Sequence, residues 1–116
     1  MPGLCLLVAH AYEGGMTSSK ASITVDHEED GGRGAFFVAR EDIRLAEMTY
    51  SRVNEHLIIV DHTGVDEQLR GLGVARMLLD TLVAWARRTK TRVSATCPYA
   101  KAQFEKDASI QDVYER

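Results

Sequence analysis

Asp61-His62-Thr63-Gly64-Val65-Asp66-Glu67-Gln68-Leu69-Arg70-Gly71-Leu72-Gly73-Val74-Ala75-Arg76 is the stretch whose reading decides the fold. Upstream of its glycines, residues 56–65 are a strand candidate that runs out into a short connection. Downstream, Leu72, Ala75, Leu79, Leu82 and Ala86 recur at spacings of three and four, with Leu78, Val83 and Trp85 flanking the stripe. That period predicts an amphipathic helix from Gly71 to near Lys90, one face laid on a sheet. The first N–H groups of a helix have no internal acceptor, and the helix dipole adds partial positive charge there. A glycine turn opening a helix is therefore an anion site. Glycines let a phosphate approach the backbone closely, and Arg70 adds a full charge.

Two familiar phosphate motifs fail on these residues. A P-loop ends in Gly-Lys-Ser or Gly-Lys-Thr, and the chain has neither. A dinucleotide fingerprint needs Gly or Ala three residues after its second glycine, where this chain has Arg76, and an acid about twenty residues further on. What fits is Gln-x-x-Gly-x-Gly, spelled Gln68-Leu69-Arg70-Gly71-Leu72-Gly73 and followed by Val74-Ala75. A tight helix start with no ligand also uses glycines, so the motif does not by itself prove a site.

The pattern resembles the pyrophosphate loop of the GNAT acyltransferase superfamily. His62-Thr63-Gly64-Val65 before it, Ala95-Thr96-Cys97-Pro98-Tyr99-Ala100-Lys101 after it, and the closing Gln111-Asp112-Val113-Tyr114 resemble the small single-domain members named for their cysteine and glycine features. The similarity runs over about residues 20–114. It implies an α/β (α+β) fold, a mixed and mostly antiparallel sheet with one splayed parallel strand pair and a long helix after the glycine loop. It also implies an acetyl-CoA-dependent N-acetyltransferase acting on a primary amine of a small molecule or peptide. By motif, His62, Thr63, Gly64 and Val65 would contact the pantetheine arm, and Gln68, Leu69, Arg70, Gly71, Leu72, Gly73, Val74 and Ala75 would hold the pyrophosphate. Cys97 and Tyr99 would stand near the thioester. Catalytic roles fall on Cys97, His62 and Tyr99. Cys97 either takes the acetyl group as a nucleophile at a helix start or lines the thiol pocket while the amine attacks directly. His62 is the candidate base, since an imidazole is the side chain suited to proton transfer near neutral pH, or else it positions the loop. Tyr99 protonates the leaving thiolate or caps the following helix. Strand alternation puts Asp61 and His62 on opposite faces. Glu47, Glu55 and Asp61 also lie on or beside the central strands as alternative bases, and are read in preference as exposed strand charges.

The remainder of the chain is consistent with this. Its 116 residues fit one domain, and 45% apolar with 27% charged residues is ordinary globular composition. Roughly 65% of the unfolded surface is buried at this size, so disulfide or metal staples are not required. Two cysteines make neither a disulfide framework nor a four-ligand zinc site, and no histidine spacing suggests a metal. A reducing, cytoplasmic setting is expected. The apolar run 4–9 is too short to span a bilayer and lacks the flanks of a secretory signal. Residues 1–20 are read as an extension, flexible or a seat for dimer formation, and 21–116 as the domain, monomeric or homodimeric. The net charge of −3 hides an asymmetry. Between 70 and 92, six bases oppose one acid, giving +5 and leaving −8 elsewhere. Such a block argues against nucleic acid, suits a small polyanion, and is equally the charge of a solvated helix face. Strands are expected over 22–27, 35–39, 44–53, 56–65 and 92–96, and a second helix over 99–106. The acids of 26–30 read as a loose hairpin connection, and Asn54-Glu55 as a tight turn. The competing functional class is a CoA-binding regulatory or interaction module with little turnover.

Overall fold

A computed structural model describes residues 23–115. The elements run β1 (Asp26–Asp30), β2 (Arg33–Arg40), β3 (Ile43–Asn54), β4 (Leu57–Val65), a 3-10 turn (Glu67–Leu69), α1 (Val74–Thr89), β5 (Arg92–Ala95), α2 (Pro98–Lys106) and a second 3-10 turn (Ala108–Val113). The strands form one five-stranded sheet in sequence order. The first three pairings are antiparallel hairpins, and β4 with β5 is parallel. A parallel neighbour needs a crossover, which α1 supplies. This is the expected α+β arrangement. Residues 1–20 and the apolar run within them lie outside the described residues.

The apolar stripe read from the sequence is the buried face of α1: Val74, Leu78, Leu79, Leu82, Val83 and Ala86. It meets Phe36 and Val38 of β2, Ala46, Met48 and Tyr50 of β3, Ile58 and Val60 of β4, and Val93 of β5 in one core. Glu47, Thr49 and Ser51 alternate with the buried β3 residues and define a second, polar face.

The acidic stretch at 26–30 is a correction. It forms β1, paired from Asp26↔Phe37 to Asp30↔Arg33, and only Gly31-Gly32 make the turn. Both glycines have positive φ (63° and 87°), as a two-residue hairpin requires. An edge strand has one unpaired side and tolerates charge. Two arginines of β3 neutralise it: Arg44 pairs with Glu28, and Arg52 Nε donates to Glu29 Oε2 at 2.6 Å. The next turn also moves by one residue. Asn54 closes β3, and its Oδ1 accepts from the His56 amide at 2.7 Å, so Glu55 and His56 occupy the bend.

Much of the basic block is structural. Arg76 bonds Asp80, Gln103 and Asp107; Arg87 forks onto Asp112; Arg92 bonds Glu115. These arginines clamp α2 and the C-terminal turn to α1 and β5. Among the described residues the side chains of Arg70, Arg88 and Lys90 have no hydrogen-bond or ion-pair partner, so only part of the +5 is available to a polyanion. No helix among the described residues is long and apolar enough to cross a membrane.

Candidate functional site

Strand β4 changes character halfway along. From Leu57 to Val60 it pairs with β5, and Ile58 and Val60 are fully buried. At Val60 the pair comes apart: its carbonyl accepts both the Thr96 amide (2.9 Å) and the Cys97 amide (3.1 Å), after which β5 gives way to α2. β4 continues to Val65, and among the described residues its strand pairing there is with β3 alone. Against β3 the register skips, with Thr49 opposite His62 and Tyr50 opposite Val60, so Asp61 is an extra, bulged residue.

The bulge overturns the expectation that Asp61 and His62 face opposite ways. Asp61 Oδ1 accepts from Thr49 Oγ1 (2.5 Å) and Oδ2 from Ser51 and Arg33, all on the polar face. Burial acts to raise the Asp61 carboxyl, but the bonds from Thr49, Arg33 and Ser51 outweigh it and hold it below the usual range. His62, paired with Thr49, lies on the same face, its Nε2 4.0 Å from Glu47 Oε2. A Cβ on Gly64 would come within 3.1 Å of that nitrogen, so the glycine makes room for the imidazole. Arg44, Leu45, Ala46, Glu47, Gly64 and Asp66 line an open cavity of about 250 Å³ beside it.

Thr63 points the other way. It pairs with buried Met48, and its Oγ1 lies 3.2 Å from Cys97 Sγ. Cys97 is buried at the N-cap of α2. The structure thus joins Cys97 to Thr63 and sets His62 on the opposite side of β4. Two residues on, Tyr99 is half-buried, its hydroxyl without a hydrogen-bond partner among the described residues. Burial raises it above the ordinary tyrosine range, so at neutral pH it keeps its proton to donate.

The glycine loop presents backbone outward. Asp66 caps the 3-10 turn, its Oδ1 accepting from the Gln68 amide. The side chains of Leu69 and Val74 are buried and that of Leu72 packs on the core, pinning the loop from beneath. Gly71 and Gly73 hold φ of 82° and 73°, the left-handed region that glycine adopts without strain. Nothing lies within 4 Å of where their Cβ atoms would stand, so the space above them is open. The amides of Gly71, Gly73, Val74 and Ala75 have no acceptor among the described residues. Arg70 and Gln68 are exposed beside them. A pyrophosphate fits this donor set. Among the described residues no group of three or more His, Cys, Asp or Glu could hold a metal.

Sequence reading missed three features here: the Thr63 side-chain contact, the Asp61 anchor, and Glu47 beside His62. No local signal marked them: residues 57–60 are all apolar and 61–63 all polar, so neither the faces nor the bulge can be read from this stretch.

The family model for GCN5-related N-acetyl-transferases matches residues 35–113. The solution structure of a GCN5-like protein from Staphylococcus aureus is 37% identical, with 78% of this chain and 87% of that one covered and a TM-score of 0.60. A ribosomal-protein-alanine N-acetyltransferase from Brucella melitensis biovar Abortus 2308 shares the fold at 19% identity (67% and 64% covered, TM-score 0.54). So does a GNAT family acetyltransferase from Elizabethkingia anophelis with acetyl-CoA bound, at 10% identity (72% and 71% covered, TM-score 0.53). No curated protein matches the sequence.

Proposed function

The chain belongs to the GCN5-related N-acetyltransferase family, enzymes of acyl transfer, and on that premise we propose that it moves the acetyl group of acetyl-CoA to a primary amine of a small molecule or peptide. The observation that carries this is the set of outward amides at Gly71, Gly73, Val74 and Ala75, with Arg70 beside them and open space above. Four donors at a helix start, backed by a guanidinium, suit the pyrophosphate. In this reading the pantetheine lies along the freed half of β4. Asp66 N donates to Leu45 O, so alternation turns the peptide groups of Thr63 and Val65 away from β3, toward the gap.

The acceptor comes from the polar face, through the cavity at Glu47 and Gly64. His62, with Glu47 beside it, takes the ammonium proton, and the free amine attacks the acetyl carbonyl. The C–S bond breaks, and Tyr99 gives its proton to the departing thiolate. The Thr63–Cys97 contact favours a second route. There the Cys97 sulfur attacks first, coenzyme A leaves as the thiol, and the amine then displaces the acetyl group from Cys97, restoring its thiol.

Acetyl-CoA incubated with an amine panel tests the function, with coenzyme A release and product mass as readouts. Release with at least one amine is expected. Binding without release for any amine would instead make the protein a CoA-binding module. Intact mass after brief exposure to acetyl-CoA alone separates the routes. An acetyl adduct absent from Cys97→Ser and Cys97→Ala indicates the covalent one, and full turnover in Cys97→Ala excludes it.

A further inference from the structure

Two neighbours on β4 compete for influence over Cys97. An imidazole beside a cysteine is a common activating arrangement, and His62 adjoins Thr63 on β4. The bulge at Asp61 separates them. His62 lies with Thr49, Glu47 and Gly64 on the polar face, and Thr63, one residue on, reaches across to the buried sulfur at 3.2 Å. We infer that the Thr63 hydroxyl, and not the His62 imidazole, positions and polarises the Cys97 sulfur. This rests on the reading that Cys97 stands at the thioester end of the site.

The chemistry follows from the hydroxyl's two-sided nature. It rotates to suit its partner, accepting from a thiol and donating to a thiolate, so the contact fixes the direction of the sulfur in either form. The backbone prepares the contact. The Cys97 and Thr96 amides share the Val60 carbonyl, which fixes the start of α2 against β4. The Asp61 carboxylate, pinned by Thr49, Ser51 and Arg33, holds the bulge that turns Thr63 inward. Other titratable groups near this sulfur are Tyr99 on α2, with Arg76 and Asp80 of α1 acting on it, and His62 across β4. Thr63 is therefore a positioning residue, and its hydroxyl is the part that matters.

Alkylation of the ligand-free protein by iodoacetamide tests this without any acyl substrate, in a Cys5→Ser background so that one thiol reports. In the reaction the Cys97 sulfur bonds the reagent's carbon, iodide leaves, and the thiol proton goes to solvent. Thr63→Val keeps the shape and removes the hydroxyl. It is expected to slow alkylation at neutral pH about tenfold, the scale of one hydrogen bond to a charged group. Thr63→Ser should restore the rate to within about twofold, and His62→Ala should leave it unchanged. Thr63→Ala, which cannot overpack, should repeat the loss if the valine variant folds poorly. Wild-type rates in both hydroxyl-less variants, or an equal loss in His62→Ala, would overturn the inference. Acetyl-CoA affinity of the unmutated protein is measured beside it. No binding with the alkylation pattern intact would sink the functional reading and leave this one standing.

Discussion

Opposite corners of the sheet treat their polar groups in opposite ways. Where β1, β2 and β3 meet the C-terminal half of α1, His27 stacks on Phe36 at 4.1 Å, Trp85 meets His27 edge-on at 5.0 Å, and buried Tyr50 lies between them. Polar side chains there form a chain: His27 Nε2 bonds Tyr50 Oη at 2.7 Å, the Tyr50 hydroxyl donates to Glu29, and Arg52 grips Glu29. At the N-terminal end of α1, four amides and the Arg70 side chain have no partner among the described residues. The first corner spends its hydrogen bonds on the fold. In the proposed reading the second leaves them for a ligand, and the Leu69, Leu72 and Val74 side chains pack beneath the loop. Substitutions in one corner should therefore leave the other's measurements unmoved.

The largest expected effect belongs to the open corner. Acetyl-CoA at about 100 dissociation constants should stabilise the protein by about 2.7 kcal/mol in thermal unfolding. Gly73→Val should abolish that gain, because a branched side chain at φ 73° strains the loop and fills the phosphate's approach. The ligand-free variant is measured in parallel to separate the two causes. Next, Arg70→Ala should weaken CoA binding by about 1.5–3 kcal/mol while barely affecting pantetheine analogues that lack phosphate. Equal losses for both ligands would mean that Arg70 only shapes the loop.

The closed corner supplies the converse. A Cβ on Gly34 would lie 2.3–2.7 Å from the Tyr50 ring, which is fully buried. Gly34→Ala should cost about 1–3 kcal/mol in urea unfolding, an overpacking penalty, and leave acetyl-CoA affinity intact. A loss of affinity would show the corners to be coupled.

The smallest effect is a two-step dependence of stability on pH. Burial, partly opposed by Glu29, holds His27 below its ordinary value. The unfolded chain then binds the proton more readily, so this contribution is complete above about pH 6.5 and fades as pH falls below it. The Arg52 bond, with help from Tyr50 against the opposing cost of burial, holds Glu29 at about 2. Its contribution is complete above the unfolded carboxyl range, about 4.3, and is lost as pH drops toward 2. Glu29→Gln should shrink the acid step of a urea-midpoint titration, which Asp61, Asp107 and Asp112 also feed, and should enlarge the histidine step, because loss of the Glu29 charge lowers His27 further.

What the sequence disclosed, and what it withheld, follows the reach of each signal. The α1 stripe, the parallel β4–β5 pair and the glycine loop are written in local periods and turn residues, and the structure has all three. The strand at Asp26–Asp30 was hidden because an edge strand shows no apolar alternation, and its neutralising partners, Arg44 and Arg52, lie far along the chain. Asp61 and His62 were placed on opposite faces because alternation assumes an unbroken register, and the skip is set by Thr49 and Tyr50 of another strand. The basic block was only partly readable, since Asp107, Asp112 and Glu115, which take up Arg76, Arg87 and Arg92, approach α1 and β5 only after folding.

Amide chemical shifts of isotope-labelled protein titrated with acetyl-CoA test the central claim most directly. The account predicts the largest shifts at Gly71, Gly73, Val74 and Ala75, smaller ones from Thr63 to Val65, and none at His27, Phe36, Tyr50 or Trp85. Saturating ligand that leaves the four loop amides in place, or that moves the aromatic corner instead, would contradict it.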